Sequence, residues 1–126
     1  MKSALIVGST GIVGDAMARC LMEEGWTVAG LSRKPVAQDG VSSVVADLQE
    51  KSSLIAALKG LRPTHVFIST WSRQATEVEN TRVNRAMVHN LLAALRPAST
   101  VRHVALVTGI KHYLGPFESY SKARFR

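Results

Sequence analysis

Several things are scarce in this chain, and each scarcity closes off a class of protein. One cysteine, Cys20, stands in 126 residues, so no disulfide can form within the chain. Cys20 falls among helical core spacings and reads as a small packed hydrophobe in a reducing, cytoplasmic setting. No apolar stretch approaches the ~20 residues that a bilayer span requires. Met1-Lys2 leads only into a short apolar run that ends in glycines, so no secretory leader and no membrane partner are expected. Acidic residues are few: nine Asp and Glu against sixteen Lys and Arg give a net charge of +7. The basic residues are scattered, with Lys122 to Arg126 the one local cluster, and no basic–aromatic motif accompanies them. Nucleic-acid binding is therefore not expected, nor does any residue set read as metal ligands.

What is present is a globular composition, 46% apolar, at a length that supports one core and one domain. The chain is organised around Leu5-Ile6-Val7-Gly8-Ser9-Thr10-Gly11-Ile12-Val13-Gly14. A short continuous apolar run, Ser3 to Val7, predicts a strand covered on both faces. A helix over Ile12 to Glu24 follows, with Ile12, Val13, Ala16, Met17, Cys20 and Leu21 at the spacing of one apolar face and Gly25 as its stop. Gly8, Gly11 and Gly14 fall where a tight turn, a close approach of phosphates and a close helix–strand contact would each require a missing side chain. The first helical N–H groups are then free to meet an anion.

A second strand over Thr27 to Leu31 runs into Ser32-Arg33-Lys34-Pro35, and no Asp or Glu stands between Thr27 and Gln38. An acidic residue here would accept ribose hydroxyls; an arginine accommodates a 2′-phosphate. The expected cofactor is therefore NADPH, with Arg33 on the phosphate, Ser32 as a hydrogen-bond donor and Lys34 as a point charge. A third strand over Val41 to Ala46 ends in Asp47-Leu48. Asp47 reads equally as a bond to an adenine amino group, with Leu48 against the ring, or as a local turn or cap. Ser52 or Ser53 is expected to cap a helix from Leu54 to Lys59, and Pro63 precedes a fourth strand over Thr64 to Ser69. Thr70 and Trp71 at its end are placed to line the cofactor site, while His65 reads as a surface histidine.

The longest helix is expected over Glu77 to Leu95. Its buried stripe is Val83, Met87, Val88, Leu91, Leu92 and Leu95, and Asn84 is the odd polar residue beside that stripe. A fifth strand over Val101 to Thr108 precedes Gly109-Ile110-Lys111-His112-Tyr113. Regular alternation of strand and helix predicts a three-layer, doubly wound α/β fold of Rossmann type, its parallel sheet ordered 3-2-1-4-5. A full dinucleotide fold has a sixth strand, so the architecture reads as cut short. The expectation is one incomplete NAD(P)-binding domain over residues 1–126. Its unpaired last strand would favour a homo-oligomer.

Taken together, these stretches resemble the amino-terminal part of an extended or atypical short-chain dehydrogenase/reductase, most like the progesterone 5β-reductase/iridoid synthase-like family. Thr10-Gly11-Ile12-Val13-Gly14 is similar to that family's glycine loop and Leu31-Ser32-Arg33 to its 2′-phosphate loop. Thr64-His65-Val66-Phe67 leading to Thr70-Trp71 resembles its fourth-strand motif, and Asn84 with Met87 its central helix. Most specific is Thr108-Gly109-Ile110-Lys111-His112-Tyr113-Leu114-Gly115-Pro116-Phe117-Glu118. The resemblance implies NADPH-dependent reduction of enone or enal carbon–carbon double bonds, on steroid- or terpenoid-like substrates. It implies Lys111 as the functional lysine and Thr108 beside the cofactor. The superfamily's tyrosine four residues before a lysine is missing: Phe117 follows Tyr113 at that spacing, and Arg124 follows Tyr120. The expectation is a chain that holds the cofactor without turnover. A non-catalytic NADP(H) sensor or interaction module, and a fragment of a sugar-nucleotide epimerase/dehydratase-type enzyme, stand as alternatives.

Overall fold

The computed structural model describes residues 1–108. Five strands, β1 (Ser3–Val7), β2 (Thr27–Ser32), β3 (Val41–Val45), β4 (His65–Ile68) and β5 (His103–Leu106), are joined by helices α1 (Ile12–Glu23), α2 (Lys51–Leu58) and α3 (Glu77–Leu95), except that β2 runs to β3 through a loop without a helix. The sheet is parallel throughout and ordered β3-β2-β1-β4-β5, as the alternation predicts. β1 lies at the centre, pairing Ser3 with Thr27 on one side and Ala4 with His65 on the other.

Alternation along β1 divides the core in two, because successive strand residues face opposite sides of a sheet. Leu5 and Val7 join Leu31, Val66 and Ile68 with Leu54 and Leu58 of α2 and Val83, Met87, Leu91 and Leu95 of α3. Ala4 and Ile6 join Val28 and Ala18 of α1, with Met17, Leu21, Trp26 and Phe67 packed around them. Helices α2 and α3 therefore cover one face and α1 the other, which gives three layers.

The ends of the helices follow local chemistry. Thr76 caps α3 through its hydroxyl, which accepts the Glu79 N–H, and Glu77 and Glu79 put negative charge on the positive end of the helix. The α1 helix ends where Trp26 N–H reaches back to Leu21 O and Gly25 takes a φ of +82°, the left-handed residue that closes such ends. No cap side chain serves α2: Glu50 stands at its N-cap, and the Ser53 hydroxyl instead accepts the N–H of Asp47. Ser52 and Ser53 both lie within the helix, because it starts at Lys51 rather than Leu54.

Two expectations about packing fail, one on α1 and one on α3. The buried residues of α1 are Gly14 and Ala18, not the larger ones; Ile12, Val13, Ala16 and Cys20 are exposed. The helix lies so close to the β1–α1 turn that only small residues fit between them, and this rotates the larger apolar residues outward. Leu92 of α3 is likewise exposed, while Asn80, outside the expected stripe, is buried.

At the amino ends of the strands the Thr64 hydroxyl ties the centre of the sheet together. It accepts the N–H of Ser3, donates to Ser3 O and contacts His65 Nδ1 at 2.8 Å. His65 is half-buried rather than a surface residue, its ring meeting Trp26 edge-on at 4.6 Å.

Candidate functional site

Because all five strands run the same way, their carboxyl ends share one edge of the sheet. That edge gathers Gly8 after β1, Ser32 to Lys34 at the end of β2, Asp47 and Leu48 after β3, Thr70 and Trp71 after β4, and Thr108 after β5. Backbone bonds hold the loops in line: Gly8 N–H to Leu31 O at 3.1 Å, Ala46 N–H to Ser32 O at 3.0 Å, Ser69 N–H to Val7 O and Val107 N–H to Ile68 O, both at 2.9 Å.

The three glycines of the first turn differ in what requires them. Gly8 has a φ of +89°, which side chains rarely adopt, and a Cβ there would sit 3.1 Å from both Ser69 Oγ and Thr70 N. A Cβ on Gly14 would lie 2.0 Å from Gly8 O, a backbone atom with little freedom to move. Gly11 differs: its φ of −72° and ψ of 172° suit any residue, and its Cβ would meet only Gly8 O, at an ordinary 3.6 Å. The fold itself demands the first and third glycines and leaves the second one free.

Beside Gly11 the start of α1 is open. Gly11 is the N-cap and offers no side chain, and the first helical bond is Asp15 N–H to Gly11 O at 2.8 Å. The N–H groups of Ile12, Val13 and Gly14 precede that bond and have no helical acceptor. Thr10 is exposed, Ile12 is 93% exposed, and Val13 and Trp71 stand open as well. Unpaired donors at a helix start, a bare backbone at Gly11 and open apolar side chains together fit a dinucleotide. A pyrophosphate would find donors in the N–H groups, and the rings would find the apolar surface.

Arg33 and Lys34 are both exposed at the end of β2. The Ser32 hydroxyl donates to Lys34 O at 2.7 Å, so its proton shapes the loop instead of standing free for a ligand. Asp47 forms a local turn, its Oδ1 accepting Gln49 N–H at 2.9 Å. Leu48 is 7% exposed and belongs to the core with Leu54 and Leu58, so its side chain is occupied by the fold. Thr70 is half-buried against Gly8, and Thr108 is exposed. Lys111 lies outside the described residues.

Residues that sequence reasoning passed over hold the edge together. Ser69 Oγ donates to Val7 O at 3.0 Å and to Gly8 O at 3.3 Å, pinning the glycine turn to β4. Asn84 of α3 accepts Ser72 N–H at 2.9 Å and donates to Ser72 O at 2.8 Å, and Asn80 accepts Gln74 N–H. These two amides fix the loop that carries Thr70 and Trp71. The polar oddity of Asn84 was the one visible sign of this; Ser69 and Asn80 gave none.

A parallel sheet with a glycine turn at its centre, an open helix start and a basic loop on the next strand define a nucleotide-binding α/β protein. Over residues 4–121 the sequence matches the NAD dependent epimerase/dehydratase family, and the chain belongs to that family. It is 38% identical over 134 residues to the 3-oxo-Delta(4,5)-steroid 5-beta-reductase of Arabidopsis thaliana, a match covering 96% of this chain and 34% of the relative. It is also 38% identical over 132 residues to the (S)-8-oxocitronellyl enol synthase CYC2 of Camptotheca acuminata, with the same coverage. Thus the chain spans about a third of the length of these curated relatives. Among solved structures, a short-chain dehydrogenase/reductase superfamily protein from Agrobacterium tumefaciens with bound NAD superposes with a TM-score of 0.71. That pair is 26% identical over 88% of this chain and 34% of the other. The family likeness read from the motifs is borne out.

Proposed function

We propose that residues 1–126 form one nucleotide-binding domain that takes NADPH, and that it serves a reductase of enone or enal carbon–carbon double bonds on steroid- or terpenoid-like molecules. The observation that carries the nucleotide reading is Gly11, a glycine the protein's own packing does not require, at an open helix start. In this reading the N–H groups of Ile12, Val13 and Gly14 hold the pyrophosphate, with Gly8 and Thr10 shaping the turn. Arg33 and Lys34 take the 2′-phosphate, and the absence of Asp or Glu between Thr27 and Gln38 removes the charge that would repel it. Ser32 sets the path of that loop. Asp47, Thr70, Trp71 and Thr108 complete the walls of the cleft, and Leu48, packed in the core, supports them from behind.

When bound, the nicotinamide supplies a hydride. The reductase half of the reading is supported by the two 38% identical relatives, one named a steroid 5-beta-reductase and the other an enol synthase. Lys111 is assigned through the motif around it: an ammonium group beside the substrate carbonyl offsets negative charge that grows on that oxygen. Neither Tyr113 nor Tyr120 has a lysine four residues on, so neither is assigned the proton. The chain by itself then binds nucleotide and turns over an enone negligibly.

Fluorescence titration with NADPH and NADH tests the first half. NADPH should bind more tightly, and Arg33→Ala should weaken NADPH by roughly 10- to 100-fold, a loss of about 1.5–3 kcal/mol for a charge-assisted contact, while leaving NADH nearly unchanged. No binding, or a preference for NADH, refutes the assignment. Robust enone turnover by this chain refutes the inactivity.

A further inference from the structure

The loop between β2 and β3 carries Arg33 and Lys34, and a single side chain fastens its far end to the glycine turn. Gln38 Nε2 donates to Ser9 O at 3.2 Å and to Asp15 Oδ1 at 2.8 Å. Ser9 is buried inside the turn, and Asp15 stands in the first turn of α1. Both partners are acceptors, so the amide can sit only one way round; reversing it would set oxygen against two oxygens. In that orientation Gln38 Oε1 is buried without a partner, the one such side-chain nitrogen or oxygen among the described residues. A buried acceptor left unpaired is costly, so what holds this amide in place is the work of its nitrogen. At the near end, the Ser32 hydroxyl bonds Lys34 O. The basic loop is thus tied down on both sides of two exposed cationic side chains.

The geometry points to Gln38 as a positioning residue for nucleotide choice. It straps the Arg33–Lys34 loop to the turn and helix start, so that a 2′-phosphate and a pyrophosphate are met at a fixed separation. The inference rests on the nucleotide reading above. Its physical content is preorganisation: a loop that is already ordered need not be ordered at binding, and that saving goes to the ligand that uses the loop. NADPH uses it and NADH, with no 2′-phosphate, does not. The strap therefore sets the ratio of the two affinities rather than affinity as such.

Gln38→Met keeps the length and bulk of the side chain and removes its donor. Gln38→Glu sets a carboxylate against Asp15 and Ser9 O. In the full chain, Gln38→Met should raise the Kd for NADPH about 5- to 10-fold, the scale of losing one ordinary hydrogen bond, and Gln38→Glu should raise it further. The Kd for NADH should stay within about twofold in both. Backbone N–H exchange over residues 33–41 should speed up, with α3 unchanged. Asp15→Ala removes one of the two anchors and should move the NADPH/NADH ratio the same way by a smaller factor, which keeps the test open if Gln38→Met fails to fold. An unchanged ratio, or equal losses for both nucleotides, overturns the strap while leaving the nucleotide reading intact. Failure of the unaltered chain to bind either nucleotide overturns that reading and the strap with it.

Discussion

Alanine at Gly11 and alanine at Gly14 should have opposite consequences, although the two residues belong to one motif. At Gly14 the new Cβ would lie 2.0 Å from Gly8 O, 2.8 Å from Gly8 C and 2.9 Å from Ser9 Cα, all backbone atoms. Ordinary contact begins near 3.4 Å, so α1 must move off the turn by more than 1 Å. Overpacking of that kind costs about 2–3 kcal/mol, which lowers the midpoint of thermal unfolding by roughly 10 °C for a domain of this size. At Gly11 the Cβ meets one atom at 3.6 Å, in a backbone conformation that alanine adopts freely. Two small terms oppose each other there. Alanine is a poorer N-cap than glycine, by about 0.5 kcal/mol, and it restricts the unfolded chain by about as much in the stabilising direction. Stability should be unchanged within about 1 kcal/mol. In the proposed binding mode, however, the methyl group projects where a pyrophosphate would approach, and NADPH affinity should drop at least about tenfold. Urea unfolding and fluorescence titration of both variants decide the matter. A Gly11→Ala chain that binds NADPH like the unaltered one, or a Gly14→Ala chain equally stable, refutes the division of roles.

Other outcomes follow from the same geometry. Leu91 of α3 is fully buried in the core that α3 shares with α2 and the sheet, so Leu91→Ala should cost about 2–5 kcal/mol in urea unfolding; a loss under 1 kcal/mol would mean the core is looser than described. Arg82 hydrogen-bonds Glu79 at 2.8 Å and, with its charge, holds that carboxyl below the ordinary 4.5. Whatever stability this exposed pair gives is complete above 4.5 and is lost as pH falls through the lowered native value. Arg82→Gln should return the Glu79 titration, followed by NMR, to the usual range; an unmoved titration refutes the pairing. Val104, Leu106 and Val107 leave apolar surface exposed along β5, and a sheet edge of that kind invites association. Light scattering should show dimers or larger species as concentration rises, and a clean monomer at high concentration removes the expectation.

The strands were legible because most are short apolar runs closed by turn residues, although β3 is the mixed run Val41-Ser42-Ser43-Val44-Val45 and no helix separates it from β2. Boundaries moved by a residue or two, as at β5, where pairing covers His103 to Leu106 rather than Val101 to Thr108. The face of α1 was not legible. Spacing named Ile12, Val13 and Cys20 as core, but the tight seat of Gly14 on Gly8 O turns small residues inward, and no periodicity records a distance of approach. Arg33 was legible as a basic residue where an acid is missing. Gln38 was not, because its partners Ser9 and Asp15 lie far back in the sequence and its side chain matches no motif. Ser32 was placed correctly on the loop, but the destination of its proton, Lys34 O, is a fact of three dimensions.

The placing of β1 at the centre of the sheet has a consequence for how the chain is made. β1 is synthesised well before β4, the neighbour that pairs His65 with Ala4. At ~5–20 residues per second on the ribosome, β1, α1 and β2 emerge several seconds before β4 exists. For that interval the future middle of the sheet is an open edge, with Leu5, Ile6 and Val7 uncovered on that side. The Thr64 hydroxyl, which grips both backbone groups of Ser3, arrives with the strand that ends the wait. A nascent chain halted between β2 and β4 should therefore bind chaperones avidly and release them once residue 68 has cleared the exit tunnel.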